Sequence, residues 1–191
     1  MSKTWLVSGV AMALLVTSAD VVAAGQGESK EAKIKRAMSA GPTQIAAKAT
    51  VADHDGTVLR EGSNGWTCSP SMSPDDKVPM CNDETWQKLM HAVMTKAPFK
   101  TDRVGISYMF GGDTPVNNDD PYDTTQDPGE HWVTEGPHIM VVVPDPKMLE
   151  GIPSDPDAGG PYVMFKNTPY AHIMIPTGPR KTKMSMKAKT E

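Results

Sequence analysis

The sequence predicts an α+β domain built on a mainly antiparallel β-sheet, with two or three short helices and one disulfide. Three observations predict it. Strand-like segments come in pairs and do not alternate with helices, so the helical crossovers of a parallel sheet are missing. Residues 82–96 carry one continuous apolar helical face. Two cysteines, Cys68 and Cys81, stand in a chain that reads as exported, where thiols pair.

Residues 1–24 read as a secretion signal. Lys3 supplies the positive start, and residues 6–16 (LVSGVAMALLV) form an apolar run too short to hold in a bilayer. Val22 and Ala24 suit the −3 and −1 positions of a signal peptidase site, with Ala23 as the second choice for the cut. No cysteine stands directly after the cut, so no lipid anchor is expected. A periplasmic or secreted protein without a membrane anchor is therefore expected. The remaining chain suits one domain, residues 25–178, with 179–191 as a disordered basic tail.

Residues 28–40 read as a helix with a narrow stripe of Ile34, Ala37 and Met38, stopped by Gly41-Pro42. Residues 49–52 and 57–60 read as strands around the turn Asp53-His54-Asp55-Gly56. Cys68 and Cys81 enclose SPSMSPDDKVPM, whose prolines leave it no secondary structure of its own. A bridge closing a loop of that size stabilises by ~3 kcal/mol in the chain-entropy model. A redox or metal-binding thiol pair is the rival reading, but the spacing is not CxxC and no second ligand half completes a zinc site.

In residues 82–96, Asn82 can cap the helix, and Asp83 and Glu84 suit its positive end. Trp86, Leu89, Met90, Val93 and Met94 recur at helical spacing, and Pro98 ends the pattern. Residues 104–110 read as a strand. Residues 111–135 are a long irregular stretch rich in Asp, Asn, Pro and Gly, of the kind that is functional or disordered. Residues 138–143 are a strand, 147–152 a proline-bounded turn, and 162–166 with 170–175 a hairpin turning at Asn167-Thr168.

Four stretches, NGWTC (64–68), GISYMFGG (105–112), GPHIMVVVPDP (136–146) and GGPYVMFKNTPYAHIMIP (159–176), reach across most of the mature chain. In these the sequence resembles a family of exported bacterial proteins without assigned function. The resemblance implies one exported domain and carries over no catalytic residue.

The net charge of −4 hides an asymmetry. Residues 180–191 hold five bases and one acid, while residues 104–146 contain no Lys or Arg against eight Asp or Glu. Such a body repels nucleic acid and anionic lipid. The basic tail could touch a membrane or an acidic partner, though such tails are commonly just solvated.

The sequence contains an internal echo, His138-Ile139-Met140 and His172-Ile173-Met174. In a strand, residues i and i+2 share a face. If the two strands neighbour one another in register, two imidazoles and two thioethers converge, a ligand set suited to Cu(I). The competing reading makes the methionines core filler and each histidine a satisfied edge residue. Asp113, Asn117, Asn118, Asp119, Asp120, Asp123 and Asp127 could supply oxygen to calcium, although no EF-hand spacing is present. His131, between Glu130 and Trp132 with Glu135 close in sequence, and His54, between two aspartates, are candidate bases without an evident nucleophile. His91 falls off the apolar helical face and reads as a surface residue. Trp66, Trp132, Tyr162 and Tyr170 could line a small-molecule pocket or pack on the sheet.

These readings add up to an exported, non-catalytic binding or structural domain with an unidentified small-molecule or protein partner. A copper protein is the first alternative and a small periplasmic enzyme the second.

Overall fold

The computed structural model describes residues 28–180, together with Met1. Residues 2–27, which hold most of the expected secretion signal, and residues 181–191 of the expected tail lie outside the described residues. Helix α1, Lys30–Met38, starts at Ser29, whose hydroxyl accepts the Ala32 N–H, and it buries Ala37. A one-turn helix α2, Thr43–Ala46, follows. Four residues are too few to show a helical period, so the sequence did not announce it.

Strands β1, Thr50–Ala52, and β2, Val58–Arg60, pair antiparallel around the anticipated turn, where Gly56 takes φ +84°. The disulfide joins β3, Thr67–Ser69, to β4, Met80–Asn82, with Cys68 directly opposite Cys81 and an S–S bond of 1.99 Å. Only the tips of the proline-rich loop are extended. The main helix α3, Glu84–Met94, is capped by Asp83 and not by Asn82. Asp83 Oδ1 accepts the Trp86 N–H at 2.7 Å, and Oδ2 accepts the Ile106 N–H at 2.7 Å. Asn82 instead ends β4 and accepts the Ser107 hydroxyl. The buried face of α3 is Thr85, Trp86, Leu89 and Ala92. Met94 was expected there but is 72% exposed, because it lies two positions past Ala92 and so about 200° around the helix. His91 is exposed, as expected.

Strands β5, Gly105–Met109, β8, His138–Val142, β9, Tyr162–Met164, and β10, His172–Pro176, complete the sheet. Its order is β2-β1-β3-β4-β5-β8-β10-β9. All pairs are antiparallel except β1 with β3. The stretch 111–135 is not wholly irregular: β6, Val116–Asn117, and β7, Trp132–Val133, form a separate two-stranded sheet at its ends. The 147–152 turn overlaps a short 3₁₀ helix, Pro146–Leu149.

Two apolar clusters result. A small one around the disulfide takes Ala37, Ala46 and Val51. A larger one lies between α3 and strands β5, β8, β9 and β10. The last described residues pack back on the sheet. Thr177 N–H donates to Pro137 O at 2.7 Å, and the next residues cross Gly136 so closely that a Cβ there would come 2.2 Å from Pro179 O. Arg180 then closes onto Glu135 in an ion pair.

Candidate metal centre and flanking cleft

Alternation along the central strands sends every second side chain into the larger core. From β5 these are Gly105, Ser107 and Met109, and from β8 His138, Met140 and Val142. From β10 they are His172 and Met174, and from β9 Tyr162 and Met164 are buried with them. The two His-x-Met pairs therefore sit on neighbouring strands and on one face, the condition the sequence set. The register refines the expectation. Met140 stands opposite Met174, whereas His138 stands opposite Pro176 and Met109, and His172 opposite Met164. The two methionines of the echo stand directly opposite each other, with the histidines at opposite ends of the pair.

Neither histidine is a satisfied edge residue, because β8 and β10 are both interior strands. Each ring is fixed by its own chain. His138 Nδ1–H donates to Gly136 O at 2.7 Å, and His172 Nδ1–H to Tyr170 O at 2.9 Å. A carbonyl can only accept, so the lone pair of each ring lies on Nε2. Both Nε2 atoms are buried without a hydrogen-bond partner. Burial holds the His138 ring below the usual imidazole range and pushes His172 down to about 4, with His138 adding to the second effect. Both are thus neutral at pH 7, the state a metal ligand needs. The Trp86 and Phe165 rings meet His172 in T-shaped contacts at 5.1 and 5.5 Å, and the Trp86 indole N–H is itself buried without a hydrogen-bond partner. The sequence reading passed over Met109 and Met164. Alternation in GISYM and the position of YVM in the hairpin were the available signals, but neither segment carries a histidine to draw notice.

Tyr162 links this face to a buried carboxylate. Glu135 accepts the Gly136 N–H, the Tyr162 O–H at 3.0 Å and the Arg180 Nε–H at 3.1 Å. Burial, reinforced by the Glu135 charge, raises the Tyr162 phenol, which stays protonated. Asp113, half-buried nearby, is pushed up to about 7, chiefly by burial, with Asp76 and Glu135 adding negative charge.

Arg180 also borders an open cleft of about 630 Å³ together with Glu130, His131, Trp132, Asp155 and Asp157. Trp132 lines it, with its indole N–H donating to Glu130 at 2.7 Å. The other three aromatic candidates are placed in packing. Trp66 stacks on Tyr108 at 5.4 Å, Tyr162 is fully buried, and the Tyr170 hydroxyl donates to Ala97 O.

His131 Nδ1 pairs with Asp119 at 3.0 Å in an exposed setting, while Glu135 turns inward to Arg180. His54 pairs with Asp53, which also holds Lys33. Each of these imidazoles therefore has an aspartate for its partner. The acidic loop spends its oxygens on its own backbone. Asn117 Oδ1 accepts the N–H groups of Asp119 and Asp120, and Asp123 accepts those of Asn117 Nδ2 and Thr125. Among the described residues, no group of three or more His, Cys, Asp or Glu is placed to hold a metal ion. No family model matches the chain, and no curated protein or solved structure matches it.

Proposed function

We propose that this chain is an exported, non-catalytic domain that binds Cu(I) through the His-Met face of its central strands. One observation carries the reading: two neutral imidazoles present buried, unpartnered Nε2 lone pairs beside paired thioethers. Soft sulfur with imidazole favours Cu(I) over calcium or magnesium. The signal-like N-terminus and the Cys68–Cys81 bridge support an oxidising compartment. A second reading, a small ligand in the Trp132 cleft, is favoured by the indole lining it next to Arg180.

The test is a Cu(I) titration of the disulfide-intact chain from residue 25 against a chromophoric competitor, with calcium and zinc alongside. Tight, stoichiometric Cu(I) uptake is expected, and it should vanish in H138A/H172A. Absence of uptake by the wild type overturns the metal reading and leaves the cleft as the binding site to pursue.

A further inference from the structure

Resting on the Cu(I) reading above, we infer that the face takes two Cu(I) ions, not one, in two pseudo-equivalent sites. The first is His138 with Met109 and Met140; the second is His172 with Met164 and Met174. Met109 and Met164 are thereby ligands, although neither belongs to a His-x-Met pair.

The argument begins with distance. His138 faces Pro176, four residues beyond His172 on β10. Four residues of rise and one strand spacing separate the two histidine Cα atoms by roughly 14 Å. Two metal–nitrogen bonds span only about 4 Å. The Met140–Met174 pair fills the row between the imidazoles, so the rings cannot close on a common ion without tilting over it.

Each imidazole does have two thioethers of its own. Met109 is the direct cross-strand partner of His138, and Met164 is the direct cross-strand partner of His172. Side chains so paired have Cβ atoms roughly 5 Å apart. Met140 and Met174 follow their histidines at i+2 on the same face, roughly 7 Å away. Methionine is unbranched and flexible enough to turn its sulfur toward the ring nitrogen from either place. All four methionines are at most 5% exposed.

The two sets are related by a pseudo-two-fold axis through the midpoint of the Met140–Met174 pair. It exchanges β8 with β10 and β5 with β9, and so His138 with His172 and Met109 with Met164. Met80 lies beyond Met109 in the same row, two strands from His138. At roughly 10 Å it stands outside the set. One nitrogen and two thioethers per ion suit three-coordinate Cu(I), and a water-poor pocket disfavours the more heavily hydrated Cu(II).

The experiment is a Cu(I) titration of the chain from residue 25, read both by competition and by copper X-ray absorption. Two equivalents are expected, each with one nitrogen and two sulfur ligands. M109L and M164L are volume-conserving swaps that keep the fold, which their melting curves would verify. Each should hold one equivalent, whereas M38L, in the other apolar cluster, should hold two. A single equivalent with two nitrogen ligands overturns the two-site arrangement and leaves the Cu(I) reading standing. Two equivalents undiminished in both M109L and M164L overturns the assigned ligands. No copper in the wild type overturns both readings. Should a variant fail to fold, the ligand count around copper in the wild type still decides the matter.

Discussion

Replacing Arg180 by alanine should destabilise the domain more than its surface position suggests. The Arg180 Nε lies 3.1 Å from both carboxylate oxygens of Glu135, and Nη2 lies 3.1 Å from Oε2. The Glu135 side chain is 1% exposed and that of Arg180 31% exposed. Without the guanidinium, a buried charge keeps only the Gly136 N–H and the Tyr162 O–H. Breaking a fully buried pair from one side costs roughly 3–5 kcal/mol. Arg180 keeps part of its surface in water, which can then reach the carboxylate, so ~2–3 kcal/mol is the expected loss.

Urea unfolding measures it. With a slope of about 2 kcal/mol per molar, the midpoint should fall by roughly 1 M. Adding E135Q to R180A should restore part of the loss, because a neutral amide no longer needs a counter-ion. A change within ~0.5 kcal/mol for R180A would place the pair among ordinary surface ion pairs and refute the clasp.

Three further outcomes are expected. G136A would press a Cβ to within 2.2 Å of Pro179 O and lift the same strap, so its loss should resemble that of R180A and the double variant should be less than additive. Asp113, raised from 3.8 to about 7, favours folding in its protonated form. Its contribution is therefore full below about pH 4 and is lost as pH rises toward 7, a fall of ~2 kcal/mol after allowing for its partial exposure. D113N should flatten the wild-type slope of stability across that window, and equal slopes would contradict the assignment. Replacing both cysteines by alanine should lower stability by ~3 kcal/mol, read as a shift in urea midpoint; a shift near zero would mean that the paired strands already confine the loop.

What was legible in the sequence had a period to read. The alternation in GISYM and HIMVV gave β5 and β8, and the i, i+3 spacing of Trp86 and Leu89 gave α3. The three-residue strands β3 and β4 were hidden because three residues hold barely one alternation, and proline-rich loop signals surround them. The cap of α3 was misplaced by one residue because Asn82 and Asp83 are equally good caps locally. The sheet decided between them by giving Asn82 to Ser107. The candidate site was half legible. Pairing of the two His-x-Met strands could be stated as a condition, but register belongs to non-local contacts. Register alone brought in Met109 and Met164 and set the two imidazoles apart.

The choice between packing and ligation turns on the two Nε2 atoms. A buried lone pair without a donor costs about 1–3 kcal/mol, and this core holds two of them on strands whose facing positions are methionines, with one unpartnered donor, the Trp86 indole N–H, in the ring packed on His172. Phenylalanine at positions 138 and 172 would fill similar space with no such atom. It would also take the ring N–H from Gly136 O and Tyr170 O, and leaving each buried carbonyl without that donor costs about 1–3 kcal/mol. These opposing terms nearly cancel. H138F/H172F should therefore unfold in urea within ~1 kcal/mol of the copper-free wild type, yet lose the rise in melting temperature that Cu(I) confers by binding the folded state alone. If the double variant instead lost ~3 kcal/mol or more without copper present, the imidazoles would have a structural partner in the core. Their role would then be packing and hydrogen bonding, with no need of a metal.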